Sequence, residues 1–241
     1  MKTAIITGAS RGIGKETALL LAPHFEYMAI CCSNSKDELF QVKSLIESAG
    51  CKCDAFVGDI GDYSFVSHMV TQVINVSGRI DVLINNAGIS MVGLFTDMTP
   101  SQWNQILNTN LTSVYNTCHL VVPHMVHEKS GHIINISSVW GLCGASCEVA
   151  YSATKGAINS FAKALAKELA PSNISVNAIA FGAIDTSMNG HLSQDELAAL
   201  SEEIPAGRMA TAREAASFIS SLLSMPTYLT GEVLKFDGGW I

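Results

Sequence analysis

The chain has 241 residues, 48% of them hydrophobic and 15% charged, which excludes a disordered protein and supplies enough apolar side chain for a sizeable core. Fourteen basic against 21 acidic residues give a net charge of −7, and no Lys/Arg cluster occurs, which argues against nucleic acid or a membrane surface as partner. The seven cysteines, as Cys31-Cys32, Cys51-x-Cys53 and Cys143-x3-Cys147 with Cys118, match neither a zinc knuckle nor a paired disulfide framework, so reduced thiols are expected.

The first strand, Ala4–Thr7, follows a single early Lys2, which predicts no signal peptide. No run reaches the roughly 20 apolar residues of a membrane span, so a cytoplasmic protein is expected. Strand then gives way to Gly8-Ala9-Ser10-Arg11-Gly12-Ile13-Gly14 and a helix over Gly12–Ala22. Glycines here allow a tight turn and a close backbone approach, and the helix N-terminus offers free N–H groups to a pyrophosphate. The spacing is G-x3-G-x-G, and Gly14-Lys15 is followed by Glu16, so this is no P-loop.

A second strand, Tyr27–Cys32, ends at Ser33-Asn34-Ser35-Lys36. The acidic side chain that would hold a ribose 2′-hydroxyl is missing there, whereas Ser33, Asn34 and the cation of Arg11, with Lys36, suit a 2′-phosphate. NADP is therefore expected over NAD. After a helix over Lys36–Ala49, strand Lys52–Val57 leads to Asp59 and Ile60, where Asp59 can take an adenine amino group or cap the helix Tyr63–Val76. Strand Val82–Asn85 ends in Asn86, Ala87 and Gly88, which can fix neighbouring strands and pass close to a cofactor.

One long helix is expected over Ser101–His127, started by Thr99-Pro100-Ser101, with Asn110 facing inward among Trp103, Ile106, Leu107, Leu111 and Val114. His119, His124 and His127 share that helix without an acidic partner pattern, so no metal site is expected. Strand Gly131–Ser137 is followed by Ser138, and helix Tyr151–Ala170 opens with Tyr151 and Lys155 one turn apart on one face. An ammonium near a phenol stabilises the phenolate, which would bring the tyrosine toward neutrality as a proton donor or acceptor. Strands Ser175–Ala180 and Val233–Phe236 and a helix over Ala212–Leu223 complete the pattern. Seven strands alternating with helices predict one α/β domain, a doubly wound parallel sheet of Rossmann type with helices on both faces and ligands beyond the carboxyl ends of the strands. The polar, acidic segment 182–205 falls at that end and is expected to be a lid.

The glycine turn, Asn85-Asn86-Ala87-Gly88, Asn110, Ser138, Tyr151-x3-Lys155 and the ending Val233-Leu234-Lys235-Phe236-Asp237-Gly238-Gly239 resemble the single-domain branch of the short-chain dehydrogenase/reductases over the whole chain. The resemblance implies that Tyr151 protonates a ketone oxygen as hydride arrives from NADPH, and that Ser138 hydrogen-bonds that oxygen. It implies that Lys155 binds nicotinamide-ribose hydroxyls, that Asn110 holds a water, and that Ile184 and Thr186 contact the carboxamide. Phe181-Gly182 stands where the family has Pro-Gly, which puts the nicotinamide loop in question.

Within the family the chain is most similar to bacterial 3-oxoacyl-acyl-carrier-protein reductases, implying a carrier-bound ketone and a docking rim for which Lys129, Lys163 and Lys167 are candidates. Asn135 to Gly141, Gly144 to Val149 and Asp185 to Asn189 also resemble the subgroup that reduces a 5-aminopentanone group on elongation factor P, where Glu148 could pair with a substrate amine. A non-catalytic NADP-binding sensor is the contrasting expectation. The low charged fraction, against roughly 25% in an average domain, and the family resemblance together predict a homotetramer.

Overall fold

In the computed structural model, which describes residues 1–190 and 192–241, the chain alternates strand and helix almost throughout. The elements are β1 (Thr3–Thr7), α1 (Gly12–Leu21), β2 (Tyr27–Cys32), α2 (Lys36–Ser48), β3 (Lys52–Val57), α3 (Tyr63–Ser77), β4 (Val82–Asn85), α4 (Pro100–Leu107), α5 (Ser113–Glu128), β5 (Gly131–Ser138), α6 (Trp140–Cys143), α7 (Val149–Leu169), β6 (Ile174–Phe181), β7 (Ile184–Asp185), α8 (Gln194–Glu203), β8 (Ala210–Thr211), α9 (Ala212–Leu223) and β9 (Val233–Phe236).

Seven strands form one sheet in the order β3-β2-β1-β4-β5-β6-β9, every pair parallel. Alternate residues of one strand serve opposite faces. Ala4 and Ile6 pack with Leu21, Leu39, Val42 and Ile219 beneath α1, α2 and α9. Ile5 packs with Met69, Val73, Val121 and Ile158 beneath α3, α5 and α7. The strand order reverses between β1 and β4, so the crevice of a doubly wound sheet opens beyond their carboxyl ends.

One expectation needs correction. The single helix over Ser101–His127 is interrupted by a π-helical turn, Asn108–Thr112, between α4 and α5. The helix starts as expected, with Thr99 capping and Pro100 in the first turn. The wide turn holds the fully buried Asn110, whose side chain bonds to Ile89 and Thr154, which apolar spacing alone does not reveal. Within the segment 182–205, expected to be a lid and of which residue 191 lies outside the described residues, helix α8 is found over Gln194–Glu203. A Ser193–Glu196 capping box starts it. Short β7 and β8 pair with each other and tie this segment to the start of α9.

Candidate functional site

β1 delivers the glycine turn to the crevice, and the turn closes only with glycines. Gly8 has a φ of +64° and Gly12 of +57°, conformations that cost other residues strain. A Cβ on Gly14 would strike the carbonyl of Gly8 and the amide of Asn86. Asn86 fastens β4 to this turn. Its side-chain amide donates to the carbonyls of Thr7 at 2.9 Å and Gly8 at 3.0 Å, and the N–H groups of Asn86 and Ala87 both donate to the Thr7 hydroxyl. Thr7 is the organising residue here, closing β1 against β4.

At the end of β2, Ser33 and Asn34 are exposed beside the turn, as is Arg11. Burial pushes the Cys32 thiol up, while the Arg11 charge pulls it down and Glu38 opposes that pull. The guanidinium field thus reaches the carboxyl end of β2. Asp59 does not cap α3; Asp62 does, accepting from the N–H of Ser64. The Asp59 carboxylate instead accepts from the N–H of Gly61 at 2.8 Å and from the Asn108 amide at 3.3 Å, while Ile60 is buried.

Asn110, Lys155 and Gly88 converge. A Cβ on Gly88 would lie 3.4 Å from Oδ1 of Asn110 and 3.5 Å from Nζ of Lys155. Asn110 accepts from the N–H of Ile89 at 2.8 Å and donates to the Ile89 carbonyl at 2.9 Å and to the Thr154 hydroxyl at 3.2 Å. Lys155 is buried, donates to the Ile136 carbonyl at 2.7 Å, and places Nζ 5.4 Å from the centre of the Tyr151 ring. Burial pulls the Lys155 ammonium down to about 8. Burial also pushes the Tyr151 phenol up to about 12, with a hydrogen bond from Ser138 working downward and the charge of Glu148 adding to the rise. The phenol is thus raised rather than lowered as expected. Desolvation of a group in the crevice wall outweighs the single hydroxyl that favours its anion.

Ser138 ends β5, and its Oγ accepts from the N–H of Trp140 at 3.2 Å. Ser138, Tyr151, Lys155 and Asn110, from β5, α7 and the π-turn, therefore meet beyond the carboxyl end of β5. Thr186 lies against Gly12, whose Cβ would be 3.3 Å from its methyl, so segment 182–205 returns over the glycine turn. Ile184 is packed in the core beside Phe181, and its carbonyl accepts from the Asn189 amide at 2.8 Å. Phe181 stays in the strand ladder opposite Ser138 and Phe236, with its ring buried edge-on to Phe236 at 5.6 Å. Phe236 in turn stacks on Phe218. An aromatic side chain at 181 fills the layer beneath α9, which explains the departure from Pro-Gly.

Sequence reasoning missed Thr154 and Ser90 as partners of Asn110 and Glu148, since neither belongs to a spaced motif. Lys129, Lys163 and Lys167 do not border the site. Lys129 precedes β5, and the other two lie toward the C-terminal half of α7, at the sheet end opposite Ser138.

A doubly wound sheet, a glycine turn at its switch point and a Ser-Tyr-Lys-Asn cluster beside it define a nucleotide-dependent oxidoreductase. The short chain dehydrogenase family model matches residues 2–197, and the chain belongs to that family, whose members use a nicotinamide cofactor in ketone/alcohol chemistry. Among curated proteins it is 39% identical over 241 residues to a 3-oxoacyl-[acyl-carrier-protein] reductase of Chlamydia muridarum, covering 99% of this chain and 96% of that one. It is 38% identical to the reductase of the same name from Thermotoga maritima, over 100% and 98% of the two chains. It is 37% identical to an uncharacterized oxidoreductase of Bacillus subtilis, over 99% and 98%.

Proposed function

We propose that the chain is an NADPH-dependent ketoreductase acting on a 3-oxoacyl group carried by acyl-carrier protein, reducing it to the 3-hydroxyacyl form. The observation that carries this reading is the convergence of Ser138, Tyr151, Lys155 and Asn110 beside the glycine turn. The names of the full-length relatives support the carrier-bound substrate. The residues suit a dinucleotide: Gly8 and Gly14 let the turn pack against Asn86 and Ala87 and Gly12 lets it pass Thr186, so that the backbone of residues 8–14, with Ser10, could meet a pyrophosphate at the start of α1. Asn86, Ala87 and Gly88 would border the nicotinamide side and Asp59 and Ile60 the adenine side, while Thr186 lies against Gly12 of the turn. Arg11, Ser33 and Asn34 supply donors suited to a 2′-phosphate.

The bound cofactor supplies the hydride. Ser138 donates to the ketone oxygen and holds it against Tyr151, whose Oη proton passes to that oxygen as its negative charge develops. The phenol, pushed up to about 12, keeps this proton in hand at neutral pH. Lys155 stands over the ring to stabilise the phenolate left behind and to bind ribose hydroxyls. Asn110, held by Ile89 and Thr154, is placed to orient a water for reprotonation. Segment 182–205 acts as the substrate lid. Exposed Tyr115 on α5, Leu142 on α6 and Val149 at the start of α7 support an apolar contact between copies of the chain, consistent with the expected homotetramer of a cytoplasmic enzyme.

Oxidation of NADPH with an acetoacetyl thioester tests the reading. Tyr151→Phe should lower kcat by at least 10³-fold, and a variant as active as the parent would show a cofactor-binding sensor instead. One observation favours a second substrate. Glu148 opens α7 close enough to Tyr151 for its charge to be felt at the phenol, which suits an amino-ketone such as the 5-aminopentanone group of elongation factor P. Under that reading Glu148→Ala impairs the amino-ketone well beyond its effect on the thioester; equal losses on both exclude it.

A further inference from the structure

The segment after β4 continues past Gly88 as a strap. Ile89 is held through both backbone groups by Asn110, at 2.8 and 2.9 Å. Ser90 donates its hydroxyl hydrogen to Oε1 of Glu148, and the N–H of Gly93 donates to the Cys147 carbonyl at 2.9 Å. Residues 89–93 are therefore bonded to the π-turn at one end and to the residues that open α7 at the other. Glu148 is the N-cap residue of α7, yet its side chain makes no capping hydrogen bond to the helix. The side chain turns to Ser90 instead, and its charge still sits where the helix dipole favours an anion. Cys147 just before it has a φ of +62°, a conformation uncommon for a residue with a side chain. That bend is what brings the Cys147 carbonyl and Glu148 round to the strap. None of these contacts is needed for a dinucleotide site or for closing the sheet.

We propose that Ser90 and Glu148 are positioning residues for the proton donor: their side-chain hydrogen bond latches the strap to the head of α7 and fixes a negative charge three residues before Tyr151. The latch sets both the wall against which a ketone lies and the proton affinity of the phenol. The inference rests on the reading of Tyr151 as proton donor. The charged groups about the phenol are Lys155, one turn along α7, and Glu148. Ser138 from β5 and Asn110 from the π-turn face the same region as neutral groups. Lys155 and Glu148 thus act on Tyr151 in opposite senses, and the latch keeps the second of them in place.

Two substitutions separate the charge from the bond. Glu148→Gln keeps an oxygen for Ser90 and removes the charge, whereas Ser90→Ala keeps the charge and releases it. In titrations of tyrosinate absorbance, with Tyr151→Phe as the blank, E148Q should move the Tyr151 transition to lower pH by about half a unit. The rising alkaline limb of alcohol oxidation should move in the same direction, with KM for a small neutral ketone unchanged within twofold. S90A should raise KM several-fold, and Ser90→Thr should restore it. A titration of E148Q that superimposes on the parent, or an S90A enzyme with parental KM, overturns the latch while Y151F remains inactive. An active Y151F would instead overturn the reading of the site itself.

Discussion

Gly141 offers the sharpest test of how the site is held, because an added Cβ there would meet only the backbone of α7. It lies in α6, three residues after Ser138, where that short helix packs directly on α7. A Cβ built on Gly141 would stand 2.6 Å from the backbone carbon of Lys155 and 2.8 Å from its carbonyl oxygen. Ordinary contact begins near 3.4 Å, so in Gly141→Ala the two backbones must part by about 0.8 Å. No flexible side chain can absorb the movement. Overpacking of this kind costs about 1–3 kcal/mol, which in a chain of this size is a drop in Tm of about 3–10 °C. The displacement also separates Ser138, steadied through the N–H of Trp140, from Lys155 and Tyr151 on α7. A misplacement approaching 1 Å is worth about 10²-fold in rate, so kcat/KM for an acetoacetyl thioester should fall by about 10–100-fold. Gly144→Ala is the control. Gly144 has a φ of +76° with nothing within 4 Å of its Cβ, so alanine there costs backbone strain of about 1–3 kcal/mol and leaves the α6–α7 contact alone. Steady-state kinetics and thermal unfolding of both variants decide the matter. Parental activity in G141A, or equal losses in G141A and G144A, would refute the view that this backbone contact sets the spacing of the site.

Two further outcomes follow from charge. Arg11→Ala should raise the KM for NADPH by about tenfold, the worth of one charge-assisted bond, while that for NADH changes less than twofold; parallel changes in both would remove Arg11 from cofactor selection. Lys155, pulled down by burial to about 8 from an ordinary 10.5, makes the fold carry a buried ammonium below about pH 8 and sheds that penalty as pH rises from 8 toward 10.5. The stability gained by Lys155→Met in urea unfolding should therefore shrink across that window. Buried thiols such as Cys31 and Cys118 weaken parent and variant alike at alkaline pH and cancel in the difference. A gain independent of pH would show that Lys155 is not held against its charge.

Strands and outer helices were legible because each reports a single physical demand. Val82–Asn85 is buried on both faces and reads as an apolar run, and α9 shows its buried Ala215, Ala216, Ile219 and Leu222 at helical spacing. The site residues were legible because their spacing carries geometry, as with Tyr151 and Lys155 on one face of α7. The π-turn was not, since Leu107, Asn110, Leu111 and Val114 keep an α-like spacing through it. What breaks the helix is a polar bargain with Ile89 and Thr154, 21 and 44 residues away. Helix α8 was hidden for the opposite reason. None of its residues is buried, so it has no apolar period to read, although Ser193 and Glu196 announce its start. The Phe181 departure was visible as a mismatch, but only the packed rings of Phe236 and Phe218 give it a cause.

The directions in which burial moves the two central groups also bear on which half of the chemistry the site is built for. A phenol raised to about 12 is a proton donor at neutral pH, and acts as a base only when something lowers it. An ammonium lowered to about 8 gives up its proton far more readily than an exposed lysine. Under the proposed roles Tyr151 donates first, and Lys155, with Nζ 5.4 Å from the ring centre and next to Asn110 and Gly88, would be the nearer source of the replacement proton. Glu148 reinforces this order, since an anion at the head of α7 opposes the phenolate and so favours the protonated form of Tyr151. Run in reverse, alcohol oxidation would have to pass the alcohol proton to a Tyr151 phenolate that the surrounding protein disfavours. Under the proposed roles, burial of Tyr151 and the Glu148 charge favour ketone reduction near neutral pH and would place the oxidative reaction at alkaline pH.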